Sequence, residues 1–138
     1  MLSDEAKQKV ENHVQGLPQS LRHPPATLEQ IQEFENRFGE IPKDYQWFLM
    51  QCGGGTFGTE HLDDIVALSH THKKFSKESS IPRGWTMRNV FIIGWDGSGN
   101  PFGIERTTGR ILVEDHAFGG IHELAPNLQA FMLKGIWA

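Results

Sequence analysis

Cysteine is almost absent from this chain. Cys52 is the only one in 138 residues, so no disulfide can close within it. That points to a reducing compartment, and the cytoplasm is the expected location. Long apolar runs are missing too. Nothing approaches the roughly 20 residues that a membrane-spanning helix needs. The opening MLSDEAKQKV also lacks the apolar segment of a secretory signal. Positive charge is in short supply, with 13 Lys and Arg against 17 Asp and Glu, a net charge of -4. Nucleic acid asks for a basic face, so the balance leans against it and towards a basic partner. What remains is ordinary for a soluble protein: 38% hydrophobic and 22% charged residues. The length suits a single domain over 1–138 with a real core.

The chain is organised around Ile41–Gly55, IPKDYQWFLMQCGGG. Pro42 suits the first turn of a helix, where its missing N–H costs nothing. Tyr45, Phe48, Leu49 and Cys52 follow at helical spacing and make one apolar stripe. Trp47 and Met50 lie on the opposite face, so this short helix either packs on two sides, the preferred reading, or exposes an aromatic to a partner. Gly53 to Gly55 then stop it.

Before it, Ser3 to Gly16 reads as a helix capped by Ser3, with only Ala6, Val10 and Val14 as an apolar line. That thin line predicts a peripheral helix. After the loop LPQSLRHPP, Thr27 and Gln30 form a capping-box pattern. Leu28, Ile31, Phe34 and Phe38 supply the buried face of this second helix, and Gly39 ends it. The short link to the organising helix predicts that the two pack on one another.

Beyond Gly55, Thr56-Phe57 and Ile65-Val66-Ala67 are short strand candidates around an acidic turn, Glu60 to Asp64. Ser69 to Ser79 is a short solvated helix or a loop. Asn89–Trp95 carries hydrophobics on both faces and reads as a central strand. Phe102 with Ile104, and Ile111 with Val113, alternate as two more strands, joined by turns at Asp96–Asn100 and Arg106–Gly109. Short turns between three strands predict an antiparallel meander. Pro126 opens a last helix whose apolar face is Leu128, Phe131, Met132 and Ile136. The fold class is α+β: N-terminal helices packed on a mostly antiparallel twisted sheet, with a C-terminal helix.

Motifs with defined chemistry fail on named residues. The run Gly53-Gly54-Gly55 lacks the Gly-Lys-Ser/Thr ending of a phosphate loop and follows a helix. Gly97-Ser98-Gly99 leads into a strand and lacks a third glycine. Asp96, Ser98 and Asn100 begin like a calcium loop, but Pro101 and Thr107 stand where Gly and Glu are required. The histidines, among them His70, His72, His116 and His122, have no cysteine pairs beside them, so they read as surface residues and no metal is expected. Cys52 sits on the apolar stripe, where a neutral thiol is inert. No catalytic residue and no cofactor is assigned. Two acidic pairs remain, Asp63-Asp64 and Glu114-Asp115. Neighbours on a strand point to opposite faces, so neither pair is a dyad by itself. They read as solvated charge or as an acidic binding face, with Trp85, Trp95 and Trp137 as candidate aromatic contributors.

The stretch PATLEQIQEFENRFGEIPKDYQWFLMQCGGG resembles the opening of the SUKH superfamily, which includes fungal cell-wall-assembly regulators of the Smi–Knr type. The matching positions are Glu35 and Gly39, Ile41-Pro42, Asp44-Tyr45, Phe48-Leu49 and Gly53-Gly54. Ile41 stands where Leu is usual and Cys52 where Asn is common. NVFIIGWDGSGNPFGIERTTGRILVEDH is similar to the family's second block. The resemblance implies a non-catalytic protein-binding module. Bacterial members are commonly immunity proteins that bind and neutralise a toxin, often a nuclease; fungal relatives are regulatory interaction hubs. On that reading the partner is a cognate toxin domain, with no nucleic acid or membrane. An acidic face of Asp63, Asp64, Glu105, Glu114 and Asp115, with Trp95 as anchor, is expected to carry the contact. The competing reading is a small acid–base enzyme in which Glu105, Glu114 or Asp115 converges with His116 in a pocket.

Overall fold

The organising helix buries its apolar stripe in the centre of the protein. In the computed structural model, which describes residues 1–76, 86–115, 117 and 119–137, it runs over Lys43–Gln51. It is the third of the helices, α3. Tyr45, Phe48 and Leu49 are each 0% exposed. Trp47 and Met50 are half-buried against the same core, so the helix does pack on two sides. Gly53 stops it at φ 86, with its N–H donated to the Phe48 and Leu49 carbonyls. A Cβ there would come 2.4 Å from the His23 carbonyl oxygen, so the position is closed to other residues.

The N-terminal helix α1 spans Asp4–Gln15 and α2 spans Leu28–Phe38. Ser3 caps α1 through the Ala6 N–H, and Thr27 and Gln30 form the expected capping box. Two expectations are corrected. α1 is not peripheral: Ala6, Val10 and Val14 are buried, and the helix packs on the C-terminal helix α5, Leu128–Ile136. Small residues on a thin line let it approach closely. α2 packs mainly on α4, Ile65–Ser76, rather than on its sequence neighbour α3. Its buried residues are Ile31 and Phe34, while Leu28 at the first turn is 56% exposed.

The sheet has six strands in the order of the chain, β1 Gly55–Phe57, β2 Glu60–Leu62, β3 Val90–Trp95, β4 Pro101–Glu105, β5 Ile111–Glu114 and β6 Ile121–Ala125. Every neighbouring pair is antiparallel. The three-strand meander is therefore the centre of a larger one. Phe57, Leu62, Phe91, Ile93, Phe102, Ile104, Ile111 and Val113 belong to one hydrophobic cluster with the helices. Ile92 and Leu112 alternate to the other face, in one cross-strand row with Gly103 and Glu123.

Ile65-Val66-Ala67 is the start of α4 and not a strand. Asp64 caps it, accepting the Ala67 N–H at 2.9 Å. The expected acidic turn is β2 and this cap. Residues 77–79 of the proposed polar helix or loop lie outside the described residues. The last helix begins two residues later than read, at Leu128, with Asn127 as its cap. The two sheet edges differ. At β1 the Thr56 carbonyl oxygen lies 2.8 Å from His13 Nε2 of α1, and the His13 ring lies on Phe57 at 4.7 Å. A carbonyl only accepts, so Nε2 carries the proton. At β6 the side chains of Ile121, His122 and Glu123 are exposed.

Candidate partner-binding surface

The six residues expected on one acidic face fall into three places. The first is the junction of β2 and α4. Asp63 continues the ladder, donating its N–H to the Ile93 oxygen at 2.8 Å. Its carboxylate turns inward and is only 2% exposed. Thr71 Oγ1 donates to it at 3.2 Å, and His61 Nε2 lies 3.9 Å away. Burial pushes the Asp63 acid up to about 7, against the opposing Thr71 hydrogen bond and with help from the neighbouring Asp64 charge. The Tyr45 hydroxyl lies 2.6 Å from the Asp63 carbonyl oxygen and 3.1 Å from that of Ile93. Burial, then the Asp63 and Asp64 charges, holds that phenol well above its usual range.

Asp64 caps α4 and faces His23, whose Nδ1 lies 3.4 Å from Oδ2. The His23 and His61 rings meet edge to face at 5.6 Å. Burial, then the His23 charge, lowers the His61 pKa, with Asp64 opposing. Among the described residues no group of three or more His, Cys, Asp or Glu is placed to hold a metal ion.

The second place is the end of β5. Glu114 is 5% exposed. Its carboxylate accepts the Thr86 N–H at 2.6 Å, the Met87 N–H at 3.2 Å and the Thr86 hydroxyl. It anchors the chain entering β3 and does not face solvent. Asp115 is half-buried and accepts the Ala117 N–H at 2.8 Å. His116, required by the acid–base reading, lies outside the described residues, as does Trp85. Trp95 is at the same end of the sheet, half-buried, with Lys74 Nζ 5.9 Å above its ring.

The third place is the opposite end. Register sets Glu105 against Val90 and Trp95 against Pro101, so Glu105 is a full strand length from Trp95. The Thr108 hydroxyl and then the Arg110 guanidinium hold its carboxyl below the usual range, at 2.5 and 2.8 Å. Arg110 also reaches Glu123 on β6, at 3.6 Å.

The single acidic face is thus corrected. Asp63 and Glu114 are buried, at 2% and 5% exposure, the first bonded to Thr71 and the second to Thr86 and Met87. Glu105 stands apart from Glu114 and Asp115, so the three do not converge. Of the expected acids, Asp64, Glu105 and Asp115 are partly exposed, and Glu123 on β6 is exposed as well. Glu123 was absent from the sequence reading. Its strand shows three consecutive exposed residues and so has no alternating signal.

Comparison with known proteins gives one positive finding. The model of the SMI1 / KNR4 family (SUKH-1) matches residues 25–134. No curated protein matches the chain.

Proposed function

The chain belongs to the SMI1 / KNR4 family (SUKH-1), and from that premise we propose that it is a non-catalytic protein-binding module. More specifically, it is an immunity protein that binds and neutralises a cognate bacterial toxin, such as a nuclease, in the cytoplasm. Family membership is the observation that carries this reading. The fate of the reactive groups supports it. Cys52 is buried, and its thiol is pushed up to about 12 by burial and then by Glu11. Asp63 and Glu114 serve the fold through Thr71, Thr86 and Met87. Groups committed to internal hydrogen bonds do not supply general acid–base chemistry to a substrate.

Contact with the toxin falls to the partly exposed acids Asp64, Glu105 and Asp115, with Trp95 at the Asp115 end of the sheet. The net charge of -4 favours a basic partner, and charge steering then speeds association at low salt. The test is co-expression with the toxin encoded beside this gene, scoring survival, followed by titration of the purified pair. Survival and a saturable complex are expected. If the chain neither protects cells nor binds that toxin, the immunity reading fails and a regulatory interaction hub replaces it.

A further inference from the structure

We propose that β6 accepts an extended, basic segment of a partner protein as a seventh strand. The proposal rests on the reading of the chain as a protein-binding module and names the surface and chemistry of that contact.

The ladder between β5 and β6 fixes which backbone groups are open. The Asp115 N–H donates to the Gly120 oxygen at 3.0 Å, and the register continues through Glu114–Ile121 and Val113–His122. In an antiparallel pair, bonded and non-bonded residue pairs alternate. With Asp115 and Gly120 bonded, the next bonded pair is Val113 and His122. Ile121 and Glu123 therefore turn their N–H and C=O away from β5. No described residue hydrogen-bonds to these outward groups. At the other edge, the outward Thr56 carbonyl is taken by His13. Of the two described edges β6 offers the longer ladder, two outward residues against the single Thr56 whose carbonyl is taken, and strand addition is an established mode of peptide capture.

Side chains define the guest. Ile121 is 47% exposed, and the Glu123 side chain is 43% exposed. Arg110 lies 2.8 Å from Glu105 and 3.6 Å from Glu123, so two carboxylates share one guanidinium and the edge keeps a negative charge. A Lys or Arg opposite Glu123 and a β-branched residue opposite Ile121 complete the cross-strand pairs. A second copy of the chain fits poorly. Twofold pairing centred on His122 sets Ile121 against Glu123, and pairing centred on Glu123 opposes like charges.

The test follows amide hydrogen exchange by NMR in the full chain. The probe is a capped synthetic hexapeptide, Lys-Thr-Val-Thr-Lys-Thr, which sets lysine and valine two residues apart on one face as Glu123 and Ile121 require, with glutamate in place of lysine as control. The Ile121 and Glu123 amides should exchange fast in the free protein. They should slow by about tenfold or more with millimolar lysine peptide, and not with the control. Glu123→Pro removes an outward N–H that β5 does not use, so it should melt like the parent and lose the response. Glu123→Lys leaves the edge open and should switch preference to the glutamate peptide; it decides the matter if the proline variant does not fold. Slow exchange in the free protein, no slowing with the lysine peptide, or slowing that Glu123→Pro retains overturns the proposal. The toxin assay is separate. A chain that protects cells but ignores the peptide loses only the edge proposal. One that takes the peptide but binds no toxin loses only the immunity reading.

Discussion

Replacing Asp63 with asparagine should make the protein more stable at neutral pH and less so, by comparison, in acid. The carboxyl is 2% exposed and holds its proton up to about pH 7, whereas its ordinary value is 3.8. Between those values the folded state binds a proton that the unfolded chain has released. Stability from this group is complete below about pH 4 and is lost as pH rises through about 7. Each pH unit in that window removes about 1.4 kcal/mol, for a total on the order of 4 kcal/mol. The asparagine amide carries no charge at any pH and keeps an oxygen for the Thr71 hydroxyl. His61 and His72 have lowered values and act in the opposite sense, losing stability as pH falls through them. His61 lies 3.9 Å from Asp63, so both proteins carry His61→Gln in this comparison and the remaining His72 contribution cancels in the difference. Urea melts of parent and Asp63→Asn at pH 5, 6, 7 and 8 give that difference directly. It should grow in favour of the variant up to about pH 7 and then level off. Parallel profiles, or a parent that gains on the variant as pH rises, would refute the reasoning by showing a carboxylate that is ionised and well paired.

Other expectations follow from the same contacts. Leu49→Ala should cost about 2–5 kcal/mol in denaturant melts, because the side chain is 0% exposed and its space cannot refill. Cys52 should react slowly with a thiol reagent in the native protein at pH 7 and quickly in urea, since its thiolate forms only near pH 12. Glu114→Ala should cost on the order of 1–3 kcal/mol, because it strands the Thr86 and Met87 N–H groups. A loss near zero in thermal melts would show that water replaces the carboxylate. Neutralising Glu105 or Asp115 should slow association with the toxin at low salt and have little effect at high salt, read by stopped-flow mixing.

Local chemistry was legible before the fold was known. The Ser3 cap, the Thr27–Gln30 box and the glycine stops of α2 and α3 depend on residues within one turn of each other, so the sequence carries them. The central meander was legible for the same reason, through alternation and short turns. Ile65-Val66-Ala67 misled because β-branched residues favour strands, while the Asp64 cap and the helical spacing of Ile65 and Leu68 won. β6 was missed because an exposed edge shows no alternation. The acidic residues could not be sorted at all from sequence. Whether a carboxylate is inside depends on donors brought from far along the chain. Thr71 is 8 residues from Asp63, and Thr86 is 28 from Glu114.

The seal that His13 places on Thr56 has a consequence for solution behaviour. A contact in which one surface grips a different surface on the next copy propagates without end unless geometry closes it. Two bare edges on one sheet would allow such growth, with β6 of each molecule pairing to β1 of the next and a fibre as the product. Here the receiving edge is already occupied from within, at 2.8 Å. On the proposal above, the chain would act as a terminator: β6 takes up one strand, while at β1 the outward Thr56 carbonyl that a neighbour's β6 needs is already filled. Concentrated solutions should therefore stay free of fibres even with β6 bare. His13→Ala, which reopens β1, is the substitution most suited to creating them.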